Sequence, residues 1–140
     1  MGIKFELFKN SNVILFYTHQ GLGDSISCSP IANYIGKLFT SKKILFIVQS
    51  KRYGEMISKL ISQRNVEIYV PEEWEDGKKT DSFGSHLEYF TELSDRNNWD
   101  LIFTGGKYYR NYSSLPWDYS FYECLGLNYE TKYNHFHIDK

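Results

Sequence analysis

The chain has 140 residues, 16 basic and 17 acidic, which is enough for one domain with a normal core. That even balance excludes an electrostatic footprint for nucleic acid or a polybasic grip on a membrane surface. Its longest apolar runs are strand-sized, and Lys4, Glu6 and Lys9 break up any leader-like start, so a soluble, cytoplasmic protein without a membrane span is expected.

Residues 1–12 alternate Ile3, Phe5 and Leu7, which suits a short edge strand or an arm. Residues 13–17 (VILFY) are apolar without alternation, as in a strand buried on both faces. Gly21-Leu22-Gly23 then turns the chain, and Asp24 stands where a helix begins. Ile31, Tyr34, Ile35, Leu38 and Phe39 form one apolar face of that helix. Pro30 leaves two arrangements open. Either the helix kinks there, or a first turn from Asp24 precedes a regular helix capped by Ser29 with Pro30 at its first position.

Residues 43–48 (KILFIV) read as a second buried strand. Ser50 precedes a helix with Tyr53, Met56, Ile57, Leu60 and Ile61 inward, and residues 66–70 (VEIYV) are the third strand. A polar loop over 71–84 leads to a capping box, Ser85 with Glu88, and a helix face of Leu87, Phe90 and Leu93. The fourth strand is 99–104 (WDLIFT), ending in Gly105-Gly106. Residues 114–125 suit a helix with Pro116 in its first turn and Gly126 just past its end, and 133–138 suit a fifth short strand. The alternation of strands and helices predicts an α/β, Rossmann-like, mostly parallel sheet of about five strands with helices on both faces, residues 1–140 forming a single domain.

Gly21-x-Gly23 begins like a dinucleotide fingerprint, but Ile26 occupies the third glycine position and no acidic residue follows the second strand at Gln49-Ser50. No Gly-Lys-Ser/Thr triplet exists, so a P-loop is absent. No cofactor is expected. His135 and His137 share one face of the expected last strand, yet no third ligand accompanies them, so no metal site is assigned. Cys28 and Cys124 lack metal spacing and read as buried thiols of a reducing compartment. Aromatic residues reach 18%, with twelve Tyr and ten Phe, a content that fits a filled core, an uncovered domain face or sugar-stacking surfaces.

Asp24 fits two compatible roles. As a helix N-cap its charge suits the dipole, and as a general base at the ligand edge it takes a proton from an attacking hydroxyl. Gly23-Asp24, with Pro30 six residues beyond the aspartate, resembles the opening of the ADP-heptose:lipopolysaccharide heptosyltransferase type of glycosyltransferase. KILFIVQSK, Trp99-Asp100-Leu101-Ile102-Phe103 and the Leu125-Gly126-Leu127 ending fit that pattern in order, so the resemblance spans nearly the whole chain. It implies the acceptor-side half of a two-domain GT-B enzyme with Asp24 as catalytic base, transferring a sugar to an acceptor hydroxyl without a metal. Gly21, Gly23, Ser25 and His19 beside the turn, with Lys107 and Arg110 after the fourth strand, are the expected substrate-binding residues.

In that family a second half holds the nucleotide-sugar, so the donor site is expected in a missing or separate half, with association through the face left bare. The rival from another class is a non-catalytic binding or interaction domain of the same fold, and a third is a fragment of a nucleotide-binding oxidoreductase.

Overall fold

The computed structural model describes residues 9–18, 22–71, 83–104 and 118–139. Its elements run β1 (Val13–Tyr17), α1 (Leu22–Leu38), β2 (Lys43–Ile47), α2 (Lys51–Ser58), β3 (Val66–Tyr69), α3 (Phe83–Asn97), β4 (Asp100–Phe103), α4 (Tyr119–Cys124) and α5 (Thr131–His135). The four strands make one parallel sheet in the order β3-β2-β1-β4. Among the described residues no helix is long and apolar enough to cross a membrane.

The uninterrupted apolar runs are explained by layers on both faces of the sheet. Ile14, Phe16, Ile44, Phe46 and Ile102 face one core, which α1, α2 and α4 close with Cys28, Ile31, Ile35, Ile57, Phe121 and Tyr122. Leu15, Tyr17, Leu45 and Ile47 face the other, closed by Phe90 and Leu93 of α3. Register places Phe16 between Phe46 and Ile102, and the Phe16 and Phe46 rings stack at 5.2 Å. A strand covered on both sides has no polar face to alternate with.

Helix α1 follows the first of the two expected arrangements in its extent: it runs from Leu22 to Leu38 with Pro30 inside it, so no second helix begins at a Ser29 cap, and Asp24 is its third residue rather than its N-cap. Pro30 lacks the N–H that would reach the Ile26 carbonyl. The Ser29 hydroxyl donates to that carbonyl instead, at 2.8 Å, so the missing hydrogen bond is replaced within the same turn. The helix is buried around much of its girth, at Ser25, Ser27, Cys28, Ser29, Ala32 and Gly36 among others, because it lies between the sheet and α5. Small side chains permit that approach. A Cβ on Gly36 would fall 2.6 Å from Val66 Cγ2, inside any real contact.

Other boundaries follow their signals. Ser50 caps α2 by accepting the Tyr53 N–H, as its position predicts. Gly126, at φ 73°, closes α4 with Leu127 N–H on the Tyr122 carbonyl and Gly126 N–H on the Glu123 carbonyl. Asn98, at φ 57°, ends α3 in the same way through the carbonyls of Ser94 and Asp95. Helix α3 already begins at Phe83, so Ser85 lies inside it and is not its cap. Leu38 and Met56, expected inward, are about half exposed, at 50% and 48%.

The fifth strand does not form. Residues 131–135 are helix α5, and 136–139 follow without joining the sheet. Asn33 on α1 donates to the His135 carbonyl at 2.9 Å, and the Asp139 N–H donates to the Lys59 carbonyl at 2.8 Å. This segment therefore lies on α1 and the end of α2 rather than beside a strand. The His135/His137 pair is separated as well. The His135 ring meets Tyr34 edge-on at 5.2 Å, while His137 Nε2 lies 2.6 Å from Asp139 Oδ1.

At the amino end of the sheet, Asp100 is 3% exposed. Its two carboxylate oxygens accept the backbone N–H groups of Lys9 (2.8 Å) and Ser11 (3.0 Å), which ties the chain before β1 to the start of β4. The aspartate of the Trp99-Asp100-Leu101 phrase is thus an anchor for backbone donors. The arm over residues 1–8, the loop over 72–82 and the Gly105-Gly106 turn lie outside the described residues.

Candidate active site at the carboxyl edge of the sheet

In the order β3-β2-β1-β4 the chain leaves β1 toward one edge and returns to β4 on the other side of β1. The carboxyl ends of β1 and β4 therefore flank the point where strand order reverses, which is where open α/β sheets form their ligand crevice. Thr18 follows β1 and Thr104 follows β4, and both are buried, at 1% and 0% exposure. The Thr104 N–H donates to the Tyr17 carbonyl at 2.9 Å and continues the ladder past the last paired residues. Its hydroxyl donates to Thr18 Oγ1 at 2.8 Å.

Cys28, from the second turn of α1, completes a triangle with these threonines. Its Sγ lies 3.1 Å from Thr18 Oγ1 and 3.8 Å from Thr104 Oγ1. Burial pushes the Cys28 thiol up to about 12, and the nearby negative charge of Asp24 adds to that. It is a neutral packing group at any ordinary pH and not a nucleophile.

Asp24 stands one turn before Cys28 on the same face of α1. Since Cys28 contacts Thr18 and Thr104, that face places Asp24 at the carboxyl end of β1 and β4. The residue is half-buried, and its acidic side chain in the first turn complements the helix dipole. Gly23 beside it is exposed, whereas Ser25 is 2% exposed and turned into the protein. His19, Gly21, Lys107 and Arg110 lie outside the described residues.

A second polar cluster grips the same end of α1. Asp118 is 1% exposed, and its Oδ1 accepts the Tyr129 hydroxyl at 2.6 Å while Lys132 Nζ lies 2.7 Å from Oδ2. Lys132 also donates to the Tyr129 hydroxyl at 3.1 Å. The Tyr122 hydroxyl donates to the Ser27 carbonyl at 2.6 Å, one turn from Asp24. Burial acts to raise the Asp118 carboxyl, but hydrogen bonds from Lys132 and Tyr129 outweigh it and hold the group below its ordinary 3.8. Burial acts to lower Lys132, and its bond to Asp118 reverses that, holding it above 10.5.

These two shifts set a pH window. A carboxyl lowered on folding stabilises above its unfolded value, and the contribution is lost as pH falls through the lower folded value. An ammonium raised on folding stabilises below its unfolded value, and the contribution is lost as pH rises through the higher folded one. The Tyr119–Tyr122–Tyr129–Tyr133 group that packs around the pair should therefore keep its packing signal in near-ultraviolet dichroism between 3.8 and 10.5 and weaken only as pH falls through the lower folded value of Asp118 or rises through the higher folded value of Lys132. Loss of that signal inside the window contradicts the pairing.

The Thr18–Thr104 pair at the strand ends carries a readable sequence signal. Each of the two strands ends in an aromatic residue followed by threonine, Tyr17-Thr18 and Phe103-Thr104. The Asp118 cluster had none, because its members are spread over residues 118–132 and meet only through the packing of α4 and α5. A separate groove of about 320 Å³ lies at the opposite edge of the sheet between α2 and β3, lined by Lys51, Gly54, Glu55, Ser58, Ile68 and Val70, and includes none of the expected site residues. Comparison with protein-family models, with curated proteins and with solved structures finds no match to this chain.

Proposed function

We propose that this domain is the Rossmann-like, acceptor-side half of a glycosyltransferase similar to the heptosyltransferase type, with Asp24 as its catalytic base. The observation that carries the reading is the seat of Asp24, in the first turn of α1 and one turn above the Thr18–Cys28–Thr104 triangle at the strand-order reversal. A carboxylate at that point can accept the proton of a sugar hydroxyl held in the crevice. The oxygen so released attacks the anomeric carbon of the donor, and the bond from that carbon to the nucleoside diphosphate breaks. The diphosphate leaves with the bonding pair, and the proton remains on Asp24 until solvent takes it. The donor and its leaving group belong to a second half, as the resemblance implies.

This division of labour is testable on the chain itself. Titrated with mono- and disaccharide acceptors, the amide resonances of Thr18, Asp24 and Thr104 should shift, while calorimetry with a panel of nucleotide-sugars should find nothing tighter than about 1 mM. Tight binding of a nucleotide-sugar, with no saccharide response at these three amides, would place the donor rather than the acceptor here and end the proposal.

A further inference from the structure

Residues 131–139 lie along α1, held by polar bonds and two edge-on ring contacts. None of them belongs to either apolar core, whereas Leu127 and Tyr129, just before them, pack against one. Thr131 is buried, but Tyr133, Phe136 and Ile138 are 69%, 47% and 59% exposed. The attachments include Lys132 to Asp118 and to the Tyr129 hydroxyl, the Tyr133 ring on Tyr129, the His135 carbonyl to Asn33, the His135 ring on Tyr34, and the Asp139 N–H to the Lys59 carbonyl.

The groups beneath keep partners of their own. Asn33 is 1% exposed, yet its Nδ2 also donates to the Leu60 carbonyl at 3.0 Å and its Oδ1 accepts the Ser62 N–H at 2.9 Å. Asp118 retains the Tyr129 hydroxyl at 2.6 Å. Detaching residues 131–139 therefore uncovers one face of α1 but removes no side chain from either core cluster, and it leaves Asn33 with two of its three bonds and Asp118 with the Tyr129 hydroxyl on Oδ1 while Oδ2 turns to water.

We propose that residues 131–139 form a strap that lifts from α1 as one unit while the sheet and α1 stay folded, with the Lys132–Asp118 pair as its clasp. Lifting uncovers the face of α1 around Asn33 and gives water access to Asp118. The clasp decides how often this happens, because Lys132 is the one charge on the strap that meets a buried countercharge.

Residue-resolved hydrogen exchange on the full chain under native conditions tests this. The amides of Tyr133 and Asn134, both bonded to the Glu130 carbonyl, and of Asp139, bonded to Lys59, should share one opening constant. That constant should exceed those of Ile44 and Val48, whose amides bond to the Asn65 and Tyr69 carbonyls, by at least about a hundred-fold. Lys132→Met should raise exchange of all three strap amides by a common factor of about ten to a hundred, leave Ile44 and Val48 unchanged, and be reversed by Lys132→Arg. A gradient rising steadily toward residue 139, exchange of the strap at the rate of the sheet, a response to Lys132→Met confined to Tyr133 and Asn134, or one extending to Ile44 and Val48 overturns the proposal.

Discussion

Asn65→Asp is expected to lower the melting temperature by roughly 10 °C, corresponding to about 2–4 kcal/mol, although it replaces one atom by another of nearly the same size. The Asn65 side-chain amide stands just before β3 and points its Nδ2 at three carbonyls, of Gly36 (2.9 Å), Phe39 (3.0 Å) and Lys42 (2.9 Å). These belong to the last turn of α1 and the connection to β2, where the intrahelical ladder runs out, and the Phe39 carbonyl also accepts the Lys42 N–H. A carboxylate there would have no proton to offer and would set negative oxygen against three acceptors. The introduced carboxyl should accordingly titrate above its ordinary range, so the deficit relative to the parent shrinks as pH falls and the group regains one donor. Asn65→Ala, which removes the donor without adding charge, should cost less, about 1–3 kcal/mol. Chemical denaturation of the three proteins at neutral and mildly acidic pH checks both the ranking and its pH trend. Equal stability of parent and Asn65→Asp would show that the amide does not cap this turn.

The second large effect concerns chemistry. In an enzyme assembled from this domain and a donor-binding half, Asp24→Asn should reduce turnover by on the order of a hundred-fold or more, the usual contribution of a positioned general base. Its effect on folding should be small. Asp24 is the third residue of α1 and not its cap, and asparagine keeps its size and hydrogen-bonding oxygen, so the substitution removes the charge and with it an interaction with the helix dipole of about 0.3–1 kcal/mol. Turnover and melting measured side by side separate the roles: a structural aspartate gives a small thermal shift with normal rate, and a base gives the reverse. Normal turnover in Asp24→Asn removes the base assignment. Cys28→Ser serves as a control from the same face of the helix. It replaces a neutral thiol that contacts Thr18 and Thr104, so it should change stability without a comparable change in rate.

Much of this architecture can be read from local pattern because local physics suffices for it. Two apolar runs without polar alternation, residues 13–17 and 43–48, require central strands covered on both sides, and a sheet of that kind is parallel with helical crossovers. Ser50 before α2 and Gly126 after α4 mark helix ends because capping depends on groups within one turn. The carboxyl edge near Gly23 and Asp24 follows in turn from strand, turn and helix order.

Tertiary structure decided what depended on distant partners. His135-Phe136-His137-Ile138 alternates like a strand, but Asn33 and Lys59, remote in sequence, take its backbone groups and hold it on α1 and the end of α2. Pro30 reads as an interruption, yet a neighbouring hydroxyl and close packing on both sides keep α1 whole. Asp100 and Asn65 look like ordinary polar residues beside strands until the backbone groups they serve, at Lys9 and Ser11 or at Gly36, Phe39 and Lys42, are brought to them. The Thr18–Cys28–Thr104 triangle likewise exists only once β4 pairs with β1. Periodicity and capping carry information across a turn or two of chain, whereas a buried polar group is satisfied by whatever the fold places within 3 Å of it.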